Sequence, residues 1–182
     1  MKSTFVKILI ALAAILVVFL LLVSVQPSDF RVTRSATIPA PQSAVFPHVN
    51  DLHNWHAWSP WAKMDPNAKT TFEGPSSGVG AVMRWTSAND QVGEGSMTIT
   101  ESRPDSLVGF RLDFIKPFAG SNSAEFTFKP EGTQSVVTWS MSGKKNFIMK
   151  AFGLFVNCDK MIGGTFEQGL DNLKSVATVP AP

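Results

Sequence analysis

The chain has 182 residues, with 16 Lys and Arg, 14 Asp and Glu and one cysteine. Setting aside Lys2 and Lys7, which lie in an apolar N-terminal segment, leaves 14 basic residues against 14 acidic ones, all beyond Val25. A formally neutral remainder argues against a nucleic-acid binder, which needs clustered cations to meet phosphates, and against strong electrostatic adhesion to anionic lipid. With Cys158 alone, neither an intrachain disulfide nor a thiolate metal cage can form.

Phe5 to Val25 carries no charge except Lys7 and is almost wholly apolar, and a bilayer crossing takes about 20 such residues. A cleaved secretory signal has a shorter core of about 7–15 residues and a small-residue cleavage pair, which Leu22, Val23, Ser24 and Val25 do not supply. The segment therefore reads as a retained anchor over residues 1–26, stopped by Pro27, with one outer domain over 27–182. Lys2 and Lys7 favour a cytoplasmic N-terminus with the domain on the periplasmic or extracellular side, although Arg31 and Arg34 weaken the count. Phe147 to Val156 is too short for a second span and carries Lys150. The lack of an Asn-x-Ser/Thr sequon is compatible with a bacterial envelope protein.

Phe30 to Ile38 alternates Phe30, Val32, Arg34, Ala36 and Ile38 against polar residues, which predicts a first strand ended by Pro39 and Pro41. Two short helices or turns are expected next, one over Gln42 to Asn50 and one in Leu52 to Trp61, where three tryptophans crowd around Pro60. From Thr70 to Gly143 the period changes to two. Breaks at Gly74–Gly78, Ala88–Asp90, Arg103–Asp105, Lys116–Pro117 and Lys129–Gly132 divide this stretch into about six strands.

Alternation assigns the inward faces to Ala81, Met83 and Trp85; Met97 and Ile99; Val108, Phe110, Leu112 and Phe114; Phe126 and Phe128; and Val137, Trp139 and Met141. Arg84, Thr98, Arg111, Asp113, Glu125, Thr127 and Thr138 then form a wet face. Ile162, Phe166, Leu170 and Leu173 mark the apolar stripe of a C-terminal helix, with Asp159 as a candidate N-cap and Pro180 beyond the end. The predicted fold is α+β, a curved antiparallel sheet of about seven strands wrapped on a long terminal helix.

That element order resembles the helix-grip fold of the START and Bet v 1-like (SRPBCC) superfamily. Trp55, Trp58, Ser59, Pro60 and Trp61, Gly78-Val79-Gly80-Ala81 leading to Trp85, Gly93-Glu94-Gly95-Ser96-Met97 and Phe166-Glu167-Gln168-Gly169-Leu170 are similar to its polyketide cyclase/dehydrase and lipid-transport group, over about Phe30 to Ala177. The resemblance implies a hydrophobic cavity between sheet and helix that takes lipids, sterols, polyketides or other apolar molecules. It implies no particular activity, because a fold hosts many.

The residues offer little catalytic chemistry of their own. His53 and His56 near Asp51 and Asp65, with His48 elsewhere, fall short of three converging ligands, so no metal and no cofactor is expected. Gly78-Val79-Gly80 leads into a strand and reads as a turn, and Cys158 as a buried, inert thiol. Glu94 is the one candidate acid. Gly93 and Gly95 permit a bulge that turns it inward, whereas alternation points it outward to pair with Arg84 or Arg111.

Trp58, Trp85, Met97, Phe110, Phe126, Trp139, Met141 and Phe166 are the candidate ligand-binding residues, with Trp55, Trp58 and Trp61 at a mouth or at a membrane interface. The same side chains would also make a solid core. Gly163-Gly164 and the pair Met141 and Met161 favour a cavity, since glycine removes bulk and methionine packs adaptably. Three readings remain: a membrane-anchored module carrying a small hydrophobic or lipid-like molecule, a cyclase- or dehydrase-like enzyme, and an interaction module with a solid core.

Overall fold

A computed structural model describes residues 2–178; Pro180 lies outside them. Helix α1 (Lys2–Ser24) carries the apolar run, and Ser3–Ser24 is long and apolar enough to cross a membrane. Strand β1 (Asp29–Ile38) follows, then α2 (Gln42–Asn50), a 3₁₀ turn (Leu52–Asn54), α3 (Trp55–Trp58) and α4 (Pro60–Met64). Where two short helical pieces were expected there are four. Pro60 does not interrupt a helix but begins one, at the position where its missing N–H costs nothing.

Six strands complete the sheet: β2 (Lys69–Glu73), β3 (Val82–Thr86), β4 (Glu94–Arg103), β5 (Leu107–Lys116), β6 (Gly120–Glu131) and β7 (Gln134–Lys144). All pairings are antiparallel in the order β1-β7-β6-β5-β4-β3-β2, so the first strand closes against the last. Four predicted breaks coincide with turns. The fifth is shorter than expected: the turn falls at Gly132 and residue 133, and β6 runs on through Pro130 to Glu131, because β5 ends its pairing at Thr127 and residue 130 meets a strand only on the β7 side. At Gly78 and Gly80 φ is +76° and +91°, which side chains rarely adopt, and this turn admits β3.

After β7 come α5 (Phe147–Gly153) and α6 (Cys158–Ala177). Phe166, Leu170 and Leu173 of the predicted stripe are buried, with Ile162 packed against them. The cap is Asn157, whose side chain accepts from the Lys160 N–H at 3.0 Å, rather than Asp159, which lies within the first turn and is engaged by Arg34. Cys158 is half-buried at the first position of α6, not sealed inside.

Every residue assigned inward from Ala81 to Met141 is buried or packed against the core, except Phe114, which is half-buried at the end of β5. Trp55 and Trp58 join them. Their indole N–H groups donate to the carbonyls of Val49 and His48, each at 2.9 Å, so both large side chains are buried without an orphaned donor. Asn172 of α6 donates to the Trp58 carbonyl at 2.9 Å and fixes the helix against α3.

Candidate functional site

Alternation along each strand places one set of side chains on the concave face, but α6 and the short helices cover that face unevenly. Over its centre, Trp139 stacks on Phe166 of α6 with ring centroids 4.0 Å apart and planes 6° from parallel. Phe126 stacks on Trp139 at 4.7 Å, and Trp55 and Trp58 close on the same group, with Phe110 against Trp55 at 5.4 Å. Offset and edge-on contacts of this kind each add about 0.5–1.5 kcal/mol beyond the burial of area.

Of the eight candidate ligand-binding residues, the structure brings six into this packed centre. Trp58, Met97, Phe110, Phe126, Trp139 and Phe166 are all buried. Trp55 and Trp58 are therefore core residues rather than a mouth or a membrane-facing pair, and Trp61 packs half-buried against Trp139 at 5.8 Å.

The other two, Trp85 and Met141, lie toward the end of the sheet where β3, β5 and β7 finish. There Met83, Trp85, Leu112, Phe114 and Met141 share the concave face and are only half-buried. Trp85 folds over Gly95 of β4, where a Cβ would meet its ring at 2.7 Å, meets Phe114 edge-on at 6.0 Å and donates to the Val92 carbonyl at 3.1 Å. Gly95 thus seats an indole. An open cleft of about 440 Å³, lined by Lys145 and residues 153–159, lies at this same end, where β7 gives way to α5 and α6.

The glycine pair in α6 has a different role from the one expected. A side chain at 163 would collide with the guanidinium of Arg34, which lies on the concave face of β1 and reaches across to α6. Arg34 donates from Nη2 to Asp159 Oδ2 at 3.0 Å and from Nε to Glu167 Oε1 at 2.6 Å. These hydrogen bonds raise the Arg34 pKa further and hold Asp159 below the ordinary carboxylate value. Gly163 makes room for an ion-pair staple, not for a ligand. Gly164 faces open space and Met161 is exposed, so neither contributes to a cavity.

Glu94 lies on the convex side, between inward Gly93 and Gly95, with its carboxylate 2.9 Å from Lys116 Nζ. The expected partners are engaged elsewhere, Arg84 with Glu73 at 2.8 Å and Arg111 with Asp113 at 3.0 Å. The bulge the glycines suggested is present, as a register shift between Glu94 and Gly95, but its extra residue is Ile115 on β5, so Glu94 keeps its outward position.

Among the histidines, His53 Nδ1 lies 2.8 Å from Asp51 Oδ1 and its ring stacks on Phe72 at 4.0 Å. His48 is half-buried, and burial pulls its pKa below the ordinary value. Among the described residues no three His, Cys, Asp or Glu side chains converge as a metal site would require. What sequence reasoning missed was Arg34, whose place on the inward register of β1 was the available signal.

A family model described as polyketide cyclase / dehydrase and lipid transport matches residues 29–178. No curated protein matches the chain in sequence. Solved structures share its fold at low identity. A protein from Chromobacterium violaceum is 15% identical with a TM-score of 0.59, over 85% of this chain and 99% of that one. A protein from Mesorhizobium loti is 15% identical with a TM-score of 0.61, over 84% of this chain and 100% of its own. The di-domain ARO/CYC BexL is 16% identical with a TM-score of 0.63, over 88% of this chain and 53% of that larger one.

Proposed function

The chain belongs to the polyketide cyclase/dehydrase and lipid-transport family of the SRPBCC superfamily, and from that premise we propose a membrane-tethered binding domain that holds a small apolar or lipid-like molecule on the open half of its concave sheet. Residues 1–26 act as the anchor and 27–182 as the helix-grip domain, with the N-terminus cytoplasmic and the domain on the opposite side. One observation carries the binding role: the apolar face is plugged at its centre by stacked aromatics yet left half-uncovered at Met83, Trp85, Leu112, Phe114 and Met141. Uncovered apolar surface of this kind, backed by a rigid sheet, is what an apolar ligand needs. Trp85 and Met141 are the contact residues among the original candidates, while the six at the centre form the wall behind them.

Catalysis is the second reading, favoured by the family description. A dehydration or cyclisation would draw on an acid or base beside the ligand, and Glu94 is turned to the other face against Lys116.

The test is native mass spectrometry of the full chain released from lipid nanodiscs, with identification of whatever stays bound. One apolar molecule per chain is expected, lost in Trp85→Ala and Leu112→Gln while their melting transitions persist. A clean mass for the unaltered chain after exposure to membrane lipids would overturn the lipid-binding role and leave the solid-core interaction module or an enzyme for a compound the host does not contain.

A further inference from the structure

The last turns of α1 dock onto the folded domain. Val23 is fully buried, and Phe19 stacks on Phe155 with ring centroids 6.4 Å apart. At about 1.5 Å of rise per residue, Phe19 lies roughly 7 Å inside the C-terminal end of α1. If α1 spans a bilayer, the depth of Phe155 is then set by Phe19, below the edge of the hydrocarbon. Phe155 is 80% exposed, and Phe147, Ile148 and Phe152 on the adjoining α5 are each at least half exposed.

A second element lies at the same end of the sheet. Phe114 pairs with Gly120 and Asn122 with Gly143, so the tip of the β5–β6 hairpin lies at the sheet end from which β7 runs into α5. That tip exposes Ile115 and Phe118. Around these apolar groups stand Lys116, Lys144, Lys145, Lys150 and Lys160. The acids at this end are Asp29, opposite Lys144, Glu94, held by Lys116, Asp113, held by Arg111, Asp159, held by Arg34, and Asp65 and Asp90 at the β3–β4 turn. Among the described residues none of them forms an ion pair with Lys145, Lys150 or Lys160, so the formal neutrality of the domain conceals a local excess of lysine on the α5 side of the apolar patch.

We propose that α5, the 153–157 loop and the β5–β6 tip form a lipid-embedded foot: the apolar side chains enter an anionic bilayer surface beside α1 and the lysines lie at its headgroups. Apolar side chains flanked by lysines whose stems extend toward phosphate are what an interfacial segment requires. The foot orients the domain so that its half-uncovered concave face opens at the membrane end, which shortens the path of an apolar ligand from bilayer to sheet. The inference rests on α1 being a transmembrane anchor.

The test is spin-label accessibility in the full chain, carrying Cys158→Ser, reconstituted in vesicles of phosphatidylcholine and phosphatidylglycerol. Single cysteines replace Phe118, Ile148, Phe152 and Phe155, with Leu12→Cys reporting on the anchor and Val79→Cys on the far end of the sheet. Labels at 118, 148, 152 and 155 should collide more with oxygen than with a nickel chelate, the label at 155 most strongly, while the label at 79 shows the reverse. If the label at 12 is in lipid and those four are aqueous, the foot is refuted and the anchor stands. If the label at 12 is aqueous, the anchor itself fails. Spin–spin broadening at 148 and 152 would show a second copy covering the face and would also overturn the proposal.

Discussion

Arg34 and Gly163 are fitted to each other: the guanidinium of Arg34 occupies the space that any side chain at 163 would fill, and from there it binds Asp159 and Glu167 one turn to either side. The contact joins the first strand of the sheet to the final helix. It is the polar counterpart of the Trp139–Phe166 stack, which joins the same helix to β7.

Gly163→Ala should therefore destabilise the protein although alanine is the better helix former by about 1 kcal/mol. Overpacking of about 1–3 kcal/mol outweighs that preference. Adding Arg34→Ala should restore part of the loss, so that the double variant melts above Gly163→Ala alone. Additive losses in thermal unfolding would show that the two side chains do not compete for space.

Trp139→Ala should cost about 3–5 kcal/mol, as expected for deleting a buried aromatic, and should lower the melting temperature whatever ligand is present. Trp85→Ala removes a half-buried ring and should cost less while weakening ligand binding. Equal destabilisation by both, followed by Trp fluorescence, would erase the distinction between plugged centre and open half.

Acid should weaken the fold in two stages. Burial lowers the His48 pKa from the ordinary 6.5, so below that pH the unfolded chain takes up a proton that folded His48 refuses, and stability falls until the folded group protonates. Asp159, held below the ordinary 3.8 by its hydrogen bond to Arg34 and by the guanidinium charge, contributes stability above that value and loses it as the pH falls through its depressed pKa. His48→Gln should remove the first stage in melting experiments from about pH 7.5 to pH 5 and leave the second. An unchanged pH profile would show that His48 is not the group responsible.

Glu94→Gln should change stability by less than about 1 kcal/mol, the usual worth of an exposed ion pair, and leave retention of an apolar ligand intact. Loss of the ligand in that variant would place the carboxylate at the site after all.

The anchor orientation can be read from a reporter. Alkaline phosphatase fused after residue 182 should be active in a bacterial host, since the enzyme matures only beyond the cytoplasm, and the chain should resist carbonate extraction from membranes. An inactive fusion would reverse the topology.

Where apolar periodicity is strict, local spacing was enough: the α1 run, the six strands from residue 69 to 144 and the Phe166–Leu170–Leu173 stripe follow from it, because a side chain's direction repeats every two residues in a strand and every 3.6 in a helix. The neutral charge and lone cysteine were equally plain. Periodicity is silent about distance across the sheet, however. It could not tell that Trp139 and Phe166 stack and fill the centre while Trp85 and Met141 are left half-covered, nor that Gly163 gives way to Arg34, far from it along the chain. Which apolar residues became wall and which became open surface was decided only when α6 settled over β1 and β7, since covering one part of a curved sheet leaves another part bare.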